Sequence, residues 1–559
     1  NFASGYHLTA DLVDQGIRYL ADHGSDAAQK PWLMWLAFGA CHAPHQAPFD
    51  LIRNYDKEFT AGWDAERDRR LARQKEMGVV PADTRMPPRN DAVRPWAEVP
   101  EEERRLYTRL QAAYAAMLDH ADRHLARLMR FLEESGQAEN TLVIVMSDNG
   151  ASQEGGPFGM INAMGPYNMR REPLEEKIAR IEDIGGPDTH SNYPLGWAMA
   201  ANTPLRRYKQ NTHGGGIRDP LVMSWPRGIA ARGELRLQFC HASDLVPTLL
   251  EVVGVKPPAR IAGIAQMPIE GVSFARSLND PAAPAKATAQ YFEMFGHRGL
   301  WRDGWKAVAF HPPGSAFDTD KWELFHLDRD FSETEDLAER EPERLKALIE
   351  EWWRQAEMNK VLPLDDRFGP RFADNALRFH APRKRFVFHA GVGHVPTDVA
   401  PDVRSRSYTI EAQARIDGAM TEGVLIAHGD MTSGYALYIK HGRLVYDMNI
   451  GGQHHLVTSD RALEAGDRRL AVRMRRAKGI NTATLLIDGA PAGSLSTQLG
   501  FLNFISWSGL DIGRDRGSPV SHYDAPFAFT GKLRKVDVVM DDDQALDGEG
   551  IAQAALGRE

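Results

Sequence analysis

Thr141-Leu-Val-Ile-Val-Met-Ser-Asp-Asn-Gly150 decides how the first half of this chain is read. A short β-branched and apolar run ends abruptly in a carboxylate, Asp148, an amide, Asn149, and a glycine. That pattern predicts a buried parallel strand delivering two side-chain oxygens at its carboxyl end. Open α/β sheets carry their chemistry at that end. Oxygen donors of this kind suit a hard divalent cation such as Ca²⁺ or Mg²⁺. Taken alone, the segment reads equally well as a strand closed by an Asx turn.

Upstream, Leu110, Tyr114, Met117, Ala121, Leu125, Leu128 and Leu132 form one stripe of a long helix stopped by Gly136. Before it, residues 55–105 are charged and Pro-containing and read as a surface excursion. Leu12, Val13, Ile17 and Leu20 predict a helix over residues 9–23, closed by Gly24. Trp32-Leu-Met-Trp-Leu-Ala-Phe38 then predicts a second buried strand, running into a Pro-rich loop over residues 39–48. Two helix–strand–loop units in succession predict an α/β domain, a mainly parallel sheet flanked by helices. Downstream, residues 151–200 are loop around a short charged helix, and 215–225 contain another strand.

The pattern changes near residue 286. Short strands over 291–294, 301–310 and 322–327, then an amphipathic helix over 341–358, predict a small α+β subdomain for 286–360. Residues 361–382 are Pro-, Asp- and Arg-rich and read as a linker. Period-two alternation dominates 383–545, with hairpin signals at His441-Gly442 and Asp488-Gly489. This predicts a separate all-β sandwich, followed by a tail, 546–559. The first domain is 1–285.

The composition is that of a globular protein, 43% hydrophobic and 26% charged over 559 residues, with net charge -9. No basic footprint points to nucleic acid, and no apolar run reaches the length of a membrane span. Cys41 and Cys240 are the two cysteines, too few for a disulfide framework. That balance favours the cytoplasm, with a periplasmic or secreted location as the alternative. No signal peptide is visible after Asn1.

Four features of the first domain could carry chemistry. They are Asp148-Asn149, the loop histidines His42 and His45, Lys209, and the glycine run Gly214-Gly215-Gly216 after it. A loop histidine can protonate, donate or ligate, or simply pack beside prolines. A lysine before a glycine-rich bend can hold an anion as a point charge, or sit solvated on a loop. Glycines let backbone approach a ligand, or only supply turns.

Together these stretches resemble a type I sulfatase, specifically an arylsulfatase, of the alkaline-phosphatase-like superfamily. The matching segments are Leu36-Ala-Phe-Gly-Ala-Cys-His-Ala-Pro-His-Gln-Ala-Pro48, Asn140 through Ser152, and Asn202-Thr-Pro204 through Asp219-Pro-Leu-Val222. Tyr291-Phe-Glu-Met-Phe-Gly296 and Asp303-Gly-Trp-Lys-Ala-Val308 also match, so the resemblance spans roughly residues 5–360. It implies that Asp148 and Asn149 ligate a divalent cation, usually Ca²⁺. It implies that His42 contacts the sulfate and the leaving oxygen as a general acid, and that Lys209 neutralises sulfate charge.

The family's nucleophile is a hydrated formylglycine made from a C/S-x-P-x-R motif. Cys41-His-Ala-Pro44, Ser224-Trp-Pro-Arg227 and Asn202-Thr-Pro-Leu-Arg206 each fail that pattern. Lys321-Trp322 is followed by Glu323 rather than His, and Asp365-Asp366 lies in the linker rather than after a strand. The expectation is a sulfatase lacking its N-terminal catalytic segment, binding Ca²⁺ weakly through half a ligand shell and inactive by itself. The substrate would be a small-molecule or carbohydrate sulfate ester.

Two alternatives accompany this reading. One is a phosphodiesterase or phosphonate monoester hydrolase of the same superfamily. The other is a non-catalytic, carbohydrate-binding or assembly role for the C-terminal module, which resembles a concanavalin-like sandwich and offers Trp507, Tyr523 and His454-His455 as exposed candidates. A penicillin-binding reading of Ser147-Asp148-Asn149 fails, because the chain has neither S-x-x-K nor K-T-G.

Overall fold

The computed structural model describes residues 5–26, 30–285, 289–367 and 383–548. Most of the expected 361–382 linker and 546–559 tail lie outside them.

The helix Leu8–Asp26 runs through Gly24 and packs against the long helix Glu101–Glu134 through Val13, Leu20, Leu128 and Leu132. Pro100 precedes the long helix, and Glu101, Glu102 and Glu103 occupy its first turn, where carboxylates complement the helix dipole. The predicted strand over 32–38 is extended but joins no ladder among the described residues. Trp32, Met34, Leu36 and Phe38 pack on the two helices, while Leu33 and Trp35 point outward, 87% and 91% exposed. One face of this segment is therefore covered, not both.

The strand Val143–Met146 forms where its β-branched run predicts, but its partner Leu221–Ser224 is antiparallel, with Val143 opposite Ser224 and Met146 opposite Leu221. The expected parallel ladder gives way to this pair for a topological reason. The chain returns to the carboxyl end of the first strand, where the Ser147 amide donates to the Pro220 carbonyl, so the second strand must run back. The pair remains thinly covered, with Val145, Met146 and Val222 exposed.

The expected surface excursion of 55–105 instead carries core. The helix Gly62–Glu76 inserts Trp63, and Trp96 follows, both buried against Trp197 and Tyr107. The Trp63 and Trp96 rings meet edge to face at 4.6 Å. Charge density hid these two anchors, because the aromatic residues are single among charged ones, of which Glu66 and Arg67 are themselves buried.

Four consecutive antiparallel strands follow, Gln290–Met294, His297–Arg302, Trp305–Ala309 and Trp322–His326. The helix Pro342–Met358 covers them through Leu348, Trp352 and Ala356.

The C-terminal region is all β and antiparallel, a six-stranded and a five-stranded sheet sharing one apolar cluster. In the first, Tyr408–Ile416 lies between Gly466–Ala477 and Lys532–Met540. In the second, Ser433–Lys440 and Arg443–Ile450 pair with Leu437 opposite Tyr446 and Ile439 opposite Leu444. The turn residues His441 and Gly442 have φ of 52° and 70°, the left-handed pair that a two-residue hairpin requires.

The β region docks on the first through Asn168. Its buried Oδ1 accepts from the amides of Leu502, Asn503 and Phe504, at 3.0, 3.2 and 3.2 Å. No helix among the described residues is long and apolar enough to cross a membrane.

Candidate active site

Three loops meet at the carboxyl end of Val143–Met146. The first carries Asp148, exposed, and Asn149, partly buried. The second, residues 202–219, wraps behind it. Asn202 Oδ1 accepts from the Ala151 amide at 2.8 Å, and the Lys209 amide donates to the Ala151 carbonyl at 3.1 Å. The third carries His42 and His45.

The glycines serve backbone-to-backbone approach. A Cβ on Gly150 would lie 1.7 Å from the Gly215 carbonyl oxygen, and one on Gly216 would lie 2.1 Å from that of Asn211. A side chain on Gly150 would push the Lys209 loop off the Asp148 loop, and one on Gly216 would force the Lys209 loop apart from within.

Lys209 is 7% exposed, and its Nζ lies 3.5 Å from His42 Nε2 and 3.5 Å from Glu154 Oε1. His42 Nδ1 lies 2.7 Å from the Ala43 carbonyl oxygen. As that oxygen can only accept, Nδ1 carries a proton, and Nε2 faces the Lys209 ammonium. His45 has a different place. It is buried between Tyr193 and Tyr114, with ring centroids at 4.8 and 5.2 Å. Burial, then the His42 charge, lowers it to about 3, so it stays neutral.

Two acidic groups join this constellation that the sequence reading did not single out. One is Glu154, the partner of Lys209. The other is Asp219, whose carboxyl is raised to about 7 by burial and then by the negative charge of Asp148. Asp219 heads the strand that pairs antiparallel with the Asp148 strand, so the unexpected pairing brings the two acids to one end. Cys41 offers no substitute nucleophile, since burial pushes its thiol up to about 11.

The Lys209 loop is stapled to the small α+β subdomain by two carboxylates. Glu323 accepts from Arg206 at 3.1 Å and pairs with His213 Nε2 at 2.9 Å. Burial opposes its charge, yet the His213 hydrogen bond and the Arg206 charge outweigh that and hold it down to about 2. Buried Glu333 accepts from the Gly214 amide and from Lys306 Nζ at 2.6 Å. Between loop and subdomain opens a cleft of about 1020 Å³, lined by Asn90, Arg207, Gln210, His297 and Phe310 among others. The Arg207 guanidinium lies 3.9 Å above the Phe310 ring.

The aromatic candidates of the β region are not exposed. Tyr523 is 7% exposed, and Trp507 stacks on His190 at 5.2 Å, so both serve packing.

Residues 1–255 match the family model described as Sulfatase, and 208–359 that described as N-sulphoglucosamine sulphohydrolase, C-terminal. An uncharacterized sulfatase of Schizosaccharomyces pombe is 30% identical over 370 residues, covering 66% of this chain and 64% of the relative. An arylsulfatase of Klebsiella aerogenes is 28% identical over 269 residues, covering 48% and 55%. An N-acetylgalactosamine-6-sulfatase of Rattus norvegicus is 29% identical over 154 residues, covering 28% and 22%. The chain spans less than two thirds of the length of each of these relatives. Over residues 1–359 the chain is therefore similar to sulfatases throughout, through both family models and these relatives.

Proposed function

We propose that this chain serves a sulfuric ester hydrolase of arylsulfatase type, which converts a sulfate ester and water to an alcohol or phenol and sulfate. The observation that carries the reading is the approach of Lys209 Nζ to His42 Nε2, 3.5 Å apart on loops backed against Asp148-Asn149. In this reading the buried Lys209 ammonium neutralises the sulfate oxygens. His42 delivers a proton to the leaving oxygen, its ring oriented by the Ala43 carbonyl. Glu154 holds the lysine in place from the other side.

Asp148 and Asn149 would hold the divalent cation, Ca²⁺ with Mg²⁺ as the alternative. Their hard oxygens fit such an ion, and the Asp219 carboxyl, raised first by burial and then by the Asp148 charge, lies close enough to feel that charge. When bound, the ion would polarise the sulfate group. The formylglycine nucleophile needs a C/S-x-P-x-R motif that these 559 residues do not contain, so turnover by the chain alone is expected to be negligible. The cleft beside Arg207 would take the alcohol half, a small aryl group or a sugar. The concanavalin-like sandwich over 383–545 would assist by docking on this half through Asn168.

The test uses the longer protein that contains this chain together with such a motif. Sulfate monoesters should be hydrolysed in preference to phosphate diesters and phosphonate monoesters. Lys209→Ala and His42→Ala should each lower kcat/KM by ~10²–10⁴. Preference for the phosphorus esters, or variants that keep the parent rate, would overturn the assignment.

A further inference from the structure

A second donor cluster lies on the outer face of the five-stranded sheet of the β region. Asp447 sits on the strand Arg443–Ile450 and His454 on the next strand, Gln453–Thr458. Asp447 is opposite Leu456 and Asn449 opposite His454, so the acid and the imidazole are diagonal neighbours on one face. The third member, His522, comes from the loop beyond the strand Leu510–Ile512, whose Val520 and Tyr523 pack over that face. One ligand atom from each of the three lies within 4.8 Å of the other two. His454 Nδ1 is 2.7 Å from Asp447 Oδ2, and the two imidazole rings are 4.2 Å apart.

Hydrogen bonding accounts for half of the Asp447 carboxylate. Oδ2 accepts from Ser521 Oγ at 2.5 Å and meets His454. Oδ1 is buried and has no hydrogen-bond partner among the described residues, although Asp447 is 0% exposed. A buried carboxylate oxygen left without a partner is costly, and native structures rarely tolerate one without an ion or water. Lys440 Nζ donates to the carbonyl oxygen of His522, which fixes that backbone and leaves the imidazole to the cluster. A His–Asp pair alone would explain neither the free oxygen nor the second imidazole gathered beside it.

We propose that Asp447, His454 and His522 form a three-ligand site for a divalent transition metal of the Zn²⁺ class. Two imidazoles and one carboxylate are the donors Zn²⁺ takes, whereas Ca²⁺ takes six to eight oxygens. Ligands ~2.0–2.2 Å from a shared tetrahedral ion lie ~3.4 Å apart, which small side-chain rotations reach from the present spacing. The ion would fasten the 513–531 loop to the sheet and leave one position open to water or a partner's donor.

The test is Zn²⁺ titration of the chelator-treated chain against a chromophoric competitor, with Co²⁺ absorption as the second readout. One equivalent should bind at micromolar or lower concentration, and Co²⁺ should give visible d–d bands that Zn²⁺ abolishes. His522→Ala alters an exposed side chain and should keep the parent melting temperature in chelator. It should nevertheless weaken Zn²⁺ by about tenfold or more, as should His454→Gln. His441→Asn, at an exposed turn outside the cluster, should bind as the parent does. Absence of Zn²⁺ binding, equal affinity in parent, His522→Ala and His454→Gln, or equal displacement by Ca²⁺ would overturn the proposal.

Discussion

Two antiparallel arrangements in this molecule differ in how they are covered. Val143–Met146 and Leu221–Ser224 form a pair of four-residue strands, with Val145, Met146 and Val222 open to solvent. Tyr408–Ile416 is nine residues long, flanked by a strand on each side, and buries Ile410, Ala412, Ala414 and Ile416. The short pair carries the candidate chemistry at its end; the long sheets share the largest apolar cluster. The candidate chemistry and that cluster therefore sit in different parts of one chain, joined by Asn168 and by the Trp507–His190 stack among other contacts.

The contrast can be broken or sharpened by substitution. Leu470 is fully buried in the shared cluster of the β region. Leu470→Ala should cost ~2–5 kcal/mol in denaturant unfolding, and a loss below ~1 kcal/mol would show that cluster to be loosely packed.

Acid should act next, and on the other region. Glu323 titrates near 2 when folded, below its ordinary 4.5. Its contribution is complete above about pH 4.5 and fades as pH falls towards 2, on the order of 3 kcal/mol in all. Glu323→Gln should flatten the acid limb of the stability profile in that window. An unchanged limb would remove the carboxylate staple from the account.

Asn168→Ala leaves three amides of the β region without their acceptor and should cost ~1–3 kcal/mol. The readout is calorimetric, a single transition separating into two. Least of all, Val222→Thr on the open strand pair should change stability by less than ~0.5 kcal/mol. A larger loss would mean that the exposed face is covered in solution.

Much of this was legible in the sequence. Turn chemistry placed the His441-Gly442 and Asp488-Gly489 hairpins, because only left-handed residues close a two-residue loop and the alternation then sets the register. The Asp148-Asn149 terminus followed from an apolar run cut off by polar oxygens. Strand direction did not follow, since a four-residue apolar run carries no record of which neighbour it meets. Trp63 and Trp96 escaped notice because single aromatics in charged helices leave no periodic signal. Asp219 belongs with Asp148 only through the antiparallel return, a long-range fact that spacing along the chain does not encode. His45 resembled His42 in composition and loop context, and only packing between two tyrosines separated their roles.

The near-collision of Gly150 with the Gly215 carbonyl has a dynamic consequence. With no side chain between them, and with Ala151 bonded to both Asn202 and Lys209, neither loop can swing away without breaking the same few bonds. The Asp148-Asn149 end and the Lys209 loop should thus breathe as one cooperative unit. In hydrogen-exchange experiments the amides of Ala151 and Lys209 should lose protection together, at the same denaturant concentration, rather than in succession.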